Sequence, residues 1–534
     1  MKTYSYLFLA AGICLMAAAC NKDEGDGPQE TPKNAISATI ADSYEYSPKS
    51  SIIEDGNVVW SANDVITVNG VDYKLYDGTG SKTANFVPAG EFEAEPFTNS
   101  PLYKAVSPAS IFRIPYEELP SVINDLGNYN PMYAYGDTLD LKFHNICGVL
   151  ELTVKGTKTL SSIYIINPTT GLAGRYEFKT TTPEPTTENP NPESTTVFRC
   201  RADENGPVEI KFANGSQLTT AGVTYRIPLR ASESKLNYLW AHFTATDGST
   251  ADYRFSTAEN PIVIELNKSL PMICTPEFTK PATAGLLPGE FSVSATKKVG
   301  FAEGNLYYDG VNKTFCIEPF QFASSPLEAS GSGSNSWGGY EDISHISHFY
   351  LTSSAKDAVS IDPTKKDSAP ASAKVGDKLF ACDGGAIEGW TLLTKDEMNY
   401  LLNVRTVKGG TGQGHTYKGV SQGKIGDCSM RGLLIYPDNY NGNYDEPNKA
   451  TWDDLKKAGI VYLPECGQCN WGNEGWVSGL KGATTYVLGD PLASDSTFNM
   501  LEINGDGAGS TNFKTHNVTT LKHGRSIRLV KVLK

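Results

Sequence analysis

"GVLELTVK", residues Gly148 to Lys155, decides the fold class. Leu150, Leu152 and Val154 alternate with Glu151, Thr153 and Lys155, the period of two that gives a strand one buried and one wet face. The same texture extends downstream. Ser162-Ile163-Tyr164-Ile165-Ile166 follows, and strands resume near Val197, running through Tyr225-Arg226-Ile227-Pro228 and Leu236-Asn237-Tyr238-Leu239-Trp240 toward Leu266. Between them the Thr/Pro/Glu-rich stretch Thr180 to Thr196 has too little apolar surface to form a core and reads as a loop. Upstream, Val65 to Leu75 contains Asn69-Gly70. That pair can place two residues at positive φ, as a two-residue hairpin turn needs. Short strands with turn signals predict two β-sandwiches in tandem, over 35–143 and 144–280.

The N-terminus sets the expected compartment. Lys2 precedes a single apolar run from Tyr6 to Ala19, too short for a comfortable membrane span and ending in small residues. Leu15-Met16-Ala17-Ala18-Ala19-Cys20 resembles a bacterial lipobox, which implies a signal peptide over 1–20 and lipidation of Cys20. Asn21-Lys22-Asp23-Glu24 is similar to the surface-export signal of Bacteroidetes lipoproteins, and 21–34 reads as a polar tether. The resemblance implies a lipid-anchored, surface-exposed outer-membrane protein whose contact with the membrane is through the lipid alone. A net charge of −14 argues against nucleic acid as a partner. With 534 residues the chain has room for roughly three or four domains of ~150 residues. Only 20% of residues are charged, and Gly, Thr, Tyr and Asn are abundant, the look of a secreted β-rich protein.

Two family resemblances cover most of the chain. "VVWSANDVITV" (Val58 to Val68), "YKAVSPAS" (Tyr103 to Ser110), "LKFHNICGVLELTV" (Leu141 to Val154) and "LAGRYEF" (Leu172 to Phe178) resemble the fimbrillin-like proteins of Bacteroidetes. The likeness implies two transthyretin-like sandwiches, as in pilus subunits and related adhesins. A linker over 281–288 then precedes a different texture. "GEFSVSATKKVGFAEGNLYY" (Gly289 to Tyr308), "GWTLLTKDEMNYLL" (Gly389 to Leu402), "GLLIYPD" (Gly432 to Asp438), "AGIVYLPECG" (Ala458 to Gly467) and "HGRSIRLVK" (His523 to Lys531) resemble the FISUMP, or major paralogous, domains of Bacteroidetes surface proteins. This implies an α+β, C-type-lectin-like domain over 289–534.

Several motifs invite chemistry. "DEPNKATWDD" (Asp445 to Asp454) compresses two look-alikes of lectin calcium signatures, Glu446-Pro447-Asn448 and Trp452-Asp453-Asp454, into one decapeptide. Lectin calcium ligands come from two separated segments, whereas here Thr451 as N-cap, Asp453 and Asp454 in the first turn, Lys456 and Lys457 in the last and Gly459 as stop spell a short helix. Asn439, Asn441, Asn443 and Asp445 alternate like calcium-loop ligands, but the closing Glu is missing: Ala450 stands there. A second helix start is the capping box Thr394-Lys395-Asp396-Glu397, with Leu393 and Met398 as staple. Gly419-Val420-Ser421-Gln422-Gly423 lacks the strand and helix of a nucleophile elbow. Gly409 to Gly414 lacks the Lys-Ser/Thr of a phosphate loop. His345 and His348 have metal-like spacing without further ligands and read as packing or surface residues.

Cys466-Gly467-Gln468-Cys469 lies before a loop rather than at a helix start, so a structural disulfide is expected, between these two or with Cys382 or Cys428. No metal or cofactor is expected. Trp337, Tyr340, Trp471, Trp476 and Tyr486 lie in or beside Gly/Ser/Asn-rich loops, where they could stack on a sugar, grip a protein or plug minor cores. These readings predict a non-enzymatic surface adhesin binding a glycan or a host or bacterial surface protein. A structural or accessory fimbrial subunit, with other subunits as partners, and a cryptic enzyme using the C-terminal loops are the alternatives.

Overall fold

The computed structural model describes residues 35–41, 59–89, 103–107, 117–119, 122–123, 131–167, 171–181, 195–200, 207–280, 285–309, 314–321, 338–340, 345–351, 358–360, 373–374, 389–405, 432–440, 452–470, 476–480, 483–489, 498–505, 511–518 and 523–533. The fold is mainly β. Its first strands are β1 (Ile36–Ile40), β2 (Val65–Val68), β3 (Val71–Asp77), β4 (Thr83–Pro88), β5 (Tyr103–Ser107), β6 (Glu117–Leu119), β7 (Val122–Ile123), β8 (Met132–Gly136) and β9 (Asp140–Asn145). Among the described residues, β1-β4-β3-β2-β5-β8-β9 closes into a ring, sealed by the parallel pair β1–β9. Where the alternation predicts an open two-sheet sandwich, the hydrogen bonding closes round. Asn69 (φ 49°) and Gly70 (φ 84°) make the expected two-residue turn between β2 and β3. Trp60 plugs this core edge-on to Phe86 and Phe143, its indole N–H donating to the Ala38 and Lys82 carbonyls.

The second unit runs through β10 (Cys147–Val154), β11 (Thr159–Ile166), β12 (Gly174–Thr181), β13 (Thr195–Cys200), β14 (Val208–Gln217), β15 (Val223–Arg230), β16 (Ser232–Leu236), β17 (Trp240–Ala245), β18 (Thr250–Arg254), β19 (Ile262–Ile264) and β20 (Ser269–Cys274). Sheet β15-β10-β20 and sheet β18-β17-β11-β14 share one core, with Leu150, Leu152 and Val154 facing Ile163, Ile165 and Phe243. The opposite face of β10 is drier than its sequence suggests. Glu151 is buried, accepting from Arg226 Nε at 3.3 Å. The first two units also interlock: β6 pairs with β12, and β7 adds to the edge of β14.

The C-terminal unit begins with β21 (Phe291–Ser292), β22 (Lys298–Phe301), β23 (Leu306–Asp309) and β24 (Thr314–Ile317). The last strand, Val530–Val532, returns to pair with β22, so the beginning and end of this unit meet. A larger sheet contains Gly338–Tyr340, Trp476–Leu480, Cys466–Asn470, Ala483–Val487, Phe498–Gly505 and Thr511–Val518. Helix α1 (Lys395–Asn399) starts on the expected capping box: Thr394 Oγ1 accepts from the Glu397 amide at 3.2 Å and the Glu397 carboxylate accepts from the Thr394 amide at 2.9 Å. Leu393, Met398, Leu401 and Leu402 point inward. Helix α2 (Trp452–Ala458) forms where the Asp453-Asp454 grammar placed it, and Gly459 (φ 67°) stops it. No described helix is long and apolar enough to cross a membrane.

Residues 285–288 of the expected linker are docked. Leu287 is buried and its amide donates to Phe301 O at 2.9 Å.

Candidate functional site

Strand parity creates the main junction between units. In β11, Ile163 and Ile165 face the second unit's own core, so Tyr164 and Ile166 face the other way; in β17, Trp240 does the same. These three side chains join one core with Leu287, Phe320 and Leu455 of the C-terminal unit. Phe320 sits about equally from Tyr164, Trp240 and His242, each ring centroid 6.1 Å away. A sheet apolar on both faces is a sheet covered on both faces.

Polar pairs frame this apolar contact. Tyr164 OH donates to Glu318 Oε2 at 2.5 Å, and Tyr307 OH donates to Glu209 Oε2 at 2.7 Å. Lys211 Nζ meets Asp309 Oδ2 at 2.6 Å. At the other flank, Lys456 of α2 reaches Asp252 Oδ2 at 2.7 Å and Glu303 Oε1 at 3.4 Å, while His242 Nδ1 lies 2.6 Å from Asp252 Oδ1. Burial opposes the Asp252 carboxylate, but Lys456 and His242 outweigh it and hold it well below the usual carboxylate range. Burial likewise opposes the Lys456 ammonium, and Glu303 and Asp252 push it above the usual lysine range. Lys456, read in sequence as a helix C-terminal charge, therefore also clamps the two units together.

A second feature lies deeper in the C-terminal unit. Cys466 Sγ is 2.9 Å from Ser526 Oγ, 3.5 Å from Thr484 Oγ1, 3.7 Å from Tyr486 OH and 3.9 Å from Asn305 Nδ2. His348 Nε2 lies 2.9 Å from the Cys466 carbonyl. Arg528 closes the cluster, its Nε donating to Asn305 Oδ1 at 2.9 Å. Burial raises the thiol, yet His348, Ser526 and Thr484 overcome it and bring Cys466 down to about 7. Burial pushes Arg528 down to about 10 and lifts Tyr486 well above its ordinary value. The cluster is sealed from solvent: Cys466, Ser526 and Asn305 are all 0% exposed. It pins several segments to one another and is not an open reaction centre.

Two expectations need correction. Cys466 is a free thiol, so the possible Cys466–Cys469 disulfide is not formed. The two residues lie three apart along one strand, Cys466–Asn470, which spans roughly 10 Å between their Cα atoms, beyond the ~7 Å limit of a disulfide. Tyr486 is no exposed ring for a ligand. It is 2% exposed, and its hydroxyl donates to Pro464 O at 3.0 Å, because strand parity in Ala483–Val487 turns it inward beside Cys466. Of the other aromatics, Tyr340 and Trp476 are brought opposite each other as backbone partners on neighbouring strands. Trp337 and Trp471 lie outside the described residues, as do Cys20, the Gly409–Gly414 and Gly419–Gly423 loops, Glu446-Pro447-Asn448, Cys382 and Cys428. His348 is buried packing; among the described residues no group of three or more His, Cys, Asp or Glu is placed to hold a metal ion.

No family model matches the chain, and no curated protein matches it. Solved structures with local likeness include a candidate cell-adhesion protein from Bacteroides uniformis, 15% identical over 47% of this chain and 97% of its own, with a TM-score of 0.25. A candidate cell-adhesion protein from Bacteroides fragilis is 10% identical over 46% of this chain and 96% of its own, TM-score 0.23. A fimbrial protein from Bacteroides ovatus is 10% identical over 93% of this chain and 99% of its own, TM-score 0.20. At these TM-scores the likeness is loose and assigns no role.

Proposed function

We propose that the chain is a non-enzymatic, lipid-anchored surface adhesin. In this reading Cys20 carries the lipid, two fimbrillin-like β units, the first closed into a ring and the second a two-sheet sandwich, form the stalk, and the C-type-lectin-like unit presents a recognition face to a glycan or a surface protein. The single observation that supports it most is the buried, hydrogen-bonded junction around Phe320, which packs the C-terminal unit against the second unit. A rigid mount lowers the ordering cost of a distant binding face and resists pulling. Tyr340 and Trp476, backbone partners at one side of the larger sheet, together with Trp337 and Trp471, are the aromatic positions assigned to recognition. Whole-cell binding to a glycan and matrix-protein array, with wild type against Trp471→Ala and Trp476→Ala, tests this. Loss of binding with an unchanged melting temperature is expected; undiminished binding by both variants would place recognition elsewhere. Cys20→Ala should release the protein from the membrane fraction, and retention there would sink the anchor.

The fimbrial-subunit reading draws on one specific observation. β1 is the first described strand, buries Ile36, Ala38 and Ile40, and is held between β4 and β9. A strand so placed is geometrically replaceable by one from another subunit. Deleting 21–41 and asking whether polymers form under electron microscopy separates the readings, since a stalk alone gains nothing from the deletion.

A further inference from the structure

Glu209 and Lys211 stand two apart on β14, and Tyr307 and Asp309 stand two apart on β23. The period of two puts each couple on one face of its strand, so the junction brings two rungs together: Glu209 with Tyr307 and Lys211 with Asp309. Lys211 Nζ lies 2.6 Å from Asp309 Oδ2 and 3.7 Å from Glu209 Oε2, with Cys316 Sγ 4.0 Å away. Asp309 is fully buried, Glu209 is 1% exposed and the Lys211 side chain only 15%. The Lys211 nitrogen and an Asp309 carboxylate oxygen are thus in hydrogen-bond contact, with a third group able to carry protons and little access for water.

We propose that Lys211 and Asp309 condense into an intramolecular isopeptide bond that covalently joins the second unit to the C-terminal unit. The chemistry closes without any oxidant or cofactor. Proton transfer within the Lys211–Asp309 pair gives a neutral amine and a carboxylic acid. The Lys211 Nζ lone pair attacks Asp309 Cγ and forms the C–N bond, and the nitrogen hands a proton to the Glu209 carboxylate. Glu209 returns that proton to the departing hydroxyl, so one C–O bond breaks and one water leaves. Ammonium plus carboxylate become amide plus water, with charge conserved.

Two physical features favour this over a plain ion pair. Fixed proximity removes the entropy barrier of a bimolecular condensation. Exclusion of water suppresses hydrolysis of the product. Tyr307 acts as a positioning residue: its hydroxyl holds the other side of the network by donating to Glu209 Oε2 at 2.7 Å.

Peptide mapping of the full-length wild-type protein tests it directly. Trypsin should fail to cut after Lys211, and mass spectrometry should find peptide 202–226 joined to peptide 299–313, lighter than their sum by one water. Lys211→Arg and Asp309→Ala must abolish the joined species. Glu209→Ala, checked for folding by its melting curve, should leave the two peptides separate. Full recovery of 202–211, 212–226 and 299–313 as separate peptides from the wild type would overturn the proposal. So would a joined product linking Lys211 to 314–356, the peptide that carries Cys316. A folded Glu209→Ala protein that still cross-links would overturn the assigned proton relay.

Discussion

Cys466 combines a lowered thiol pKa with complete burial. Its thiol is lowered to about 7, below its usual value near 9, yet no solvent reaches it. Native protein should therefore resist alkylation at Cys466 until it unfolds, and rapid native labelling would show that the cluster opens. The same shift carries a pH signature. A thiol with a depressed folded pKa contributes stability that is fully present above its unfolded value, near 9, and is lost as pH falls through about 7. Wild type should thus gain on Cys466→Ala between pH 7 and pH 9, by on the order of 2–3 kcal/mol at full extent. Chemical denaturation of both proteins across that window measures it, and a constant difference would mean that the thiol does not ionise in the fold.

Local grammar governs the two short helices. Thr394 and Glu397 satisfy each other's amides, so Thr394→Ala should cost about 1 kcal/mol by removing a cap acceptor. Asp453 and Asp454 stand in the first turn of α2, next to its positive end. Replacing both with Asn should cost roughly 0.5–1 kcal/mol through lost dipole compensation. Calcium should leave the melting temperature of both proteins unmoved. A calcium-dependent rise that disappears in the double variant would reveal a metal site instead of a helix start. Lys456, at the other end of the same helix, has a larger role than its local charge, because it reaches across to Asp252.

A shared core and the ion pairs that cross it should make the second and C-terminal units unfold together. Phe320 is fully buried against Tyr164, Trp240 and His242. Phe320→Ala should cost about 3–5 kcal/mol, the usual range for emptying a large core site. Calorimetry of the wild type should show these two units in one transition, with the variant melting lower or splitting it. Two well-separated wild-type transitions would show that the junction is weaker than its geometry implies. An isolated 289–534 segment would expose Leu287's former neighbours and the Phe320 face, so it should be less stable than the same unit within the chain.

The strands, the Asn69-Gly70 turn, the capping box and the start of α2 could all be read locally, because each depends on residues within a few positions of one another. Alternation in "GVLELTVK" reports that a strand has two faces, but says nothing about what covers the second. Hence Ser162 to Ile166, an almost continuous apolar run, carried the signal of a doubly covered strand without naming its cover. The Lys211–Asp309 and Glu209–Tyr307 rungs join residues 98 positions apart, and Arg528 meets Asn305 across 223. Tyr486 illustrates the same limit at one position. A tyrosine beside polar and glycine-rich segments has the same local sequence whether it points out or in, and only the register of Ala483–Val487 against its neighbours turned its ring toward Cys466. Backbone propensity and capping are short-range and therefore local in sequence; burial and charge pairing depend on which surfaces meet, and that is settled only when distant strands dock.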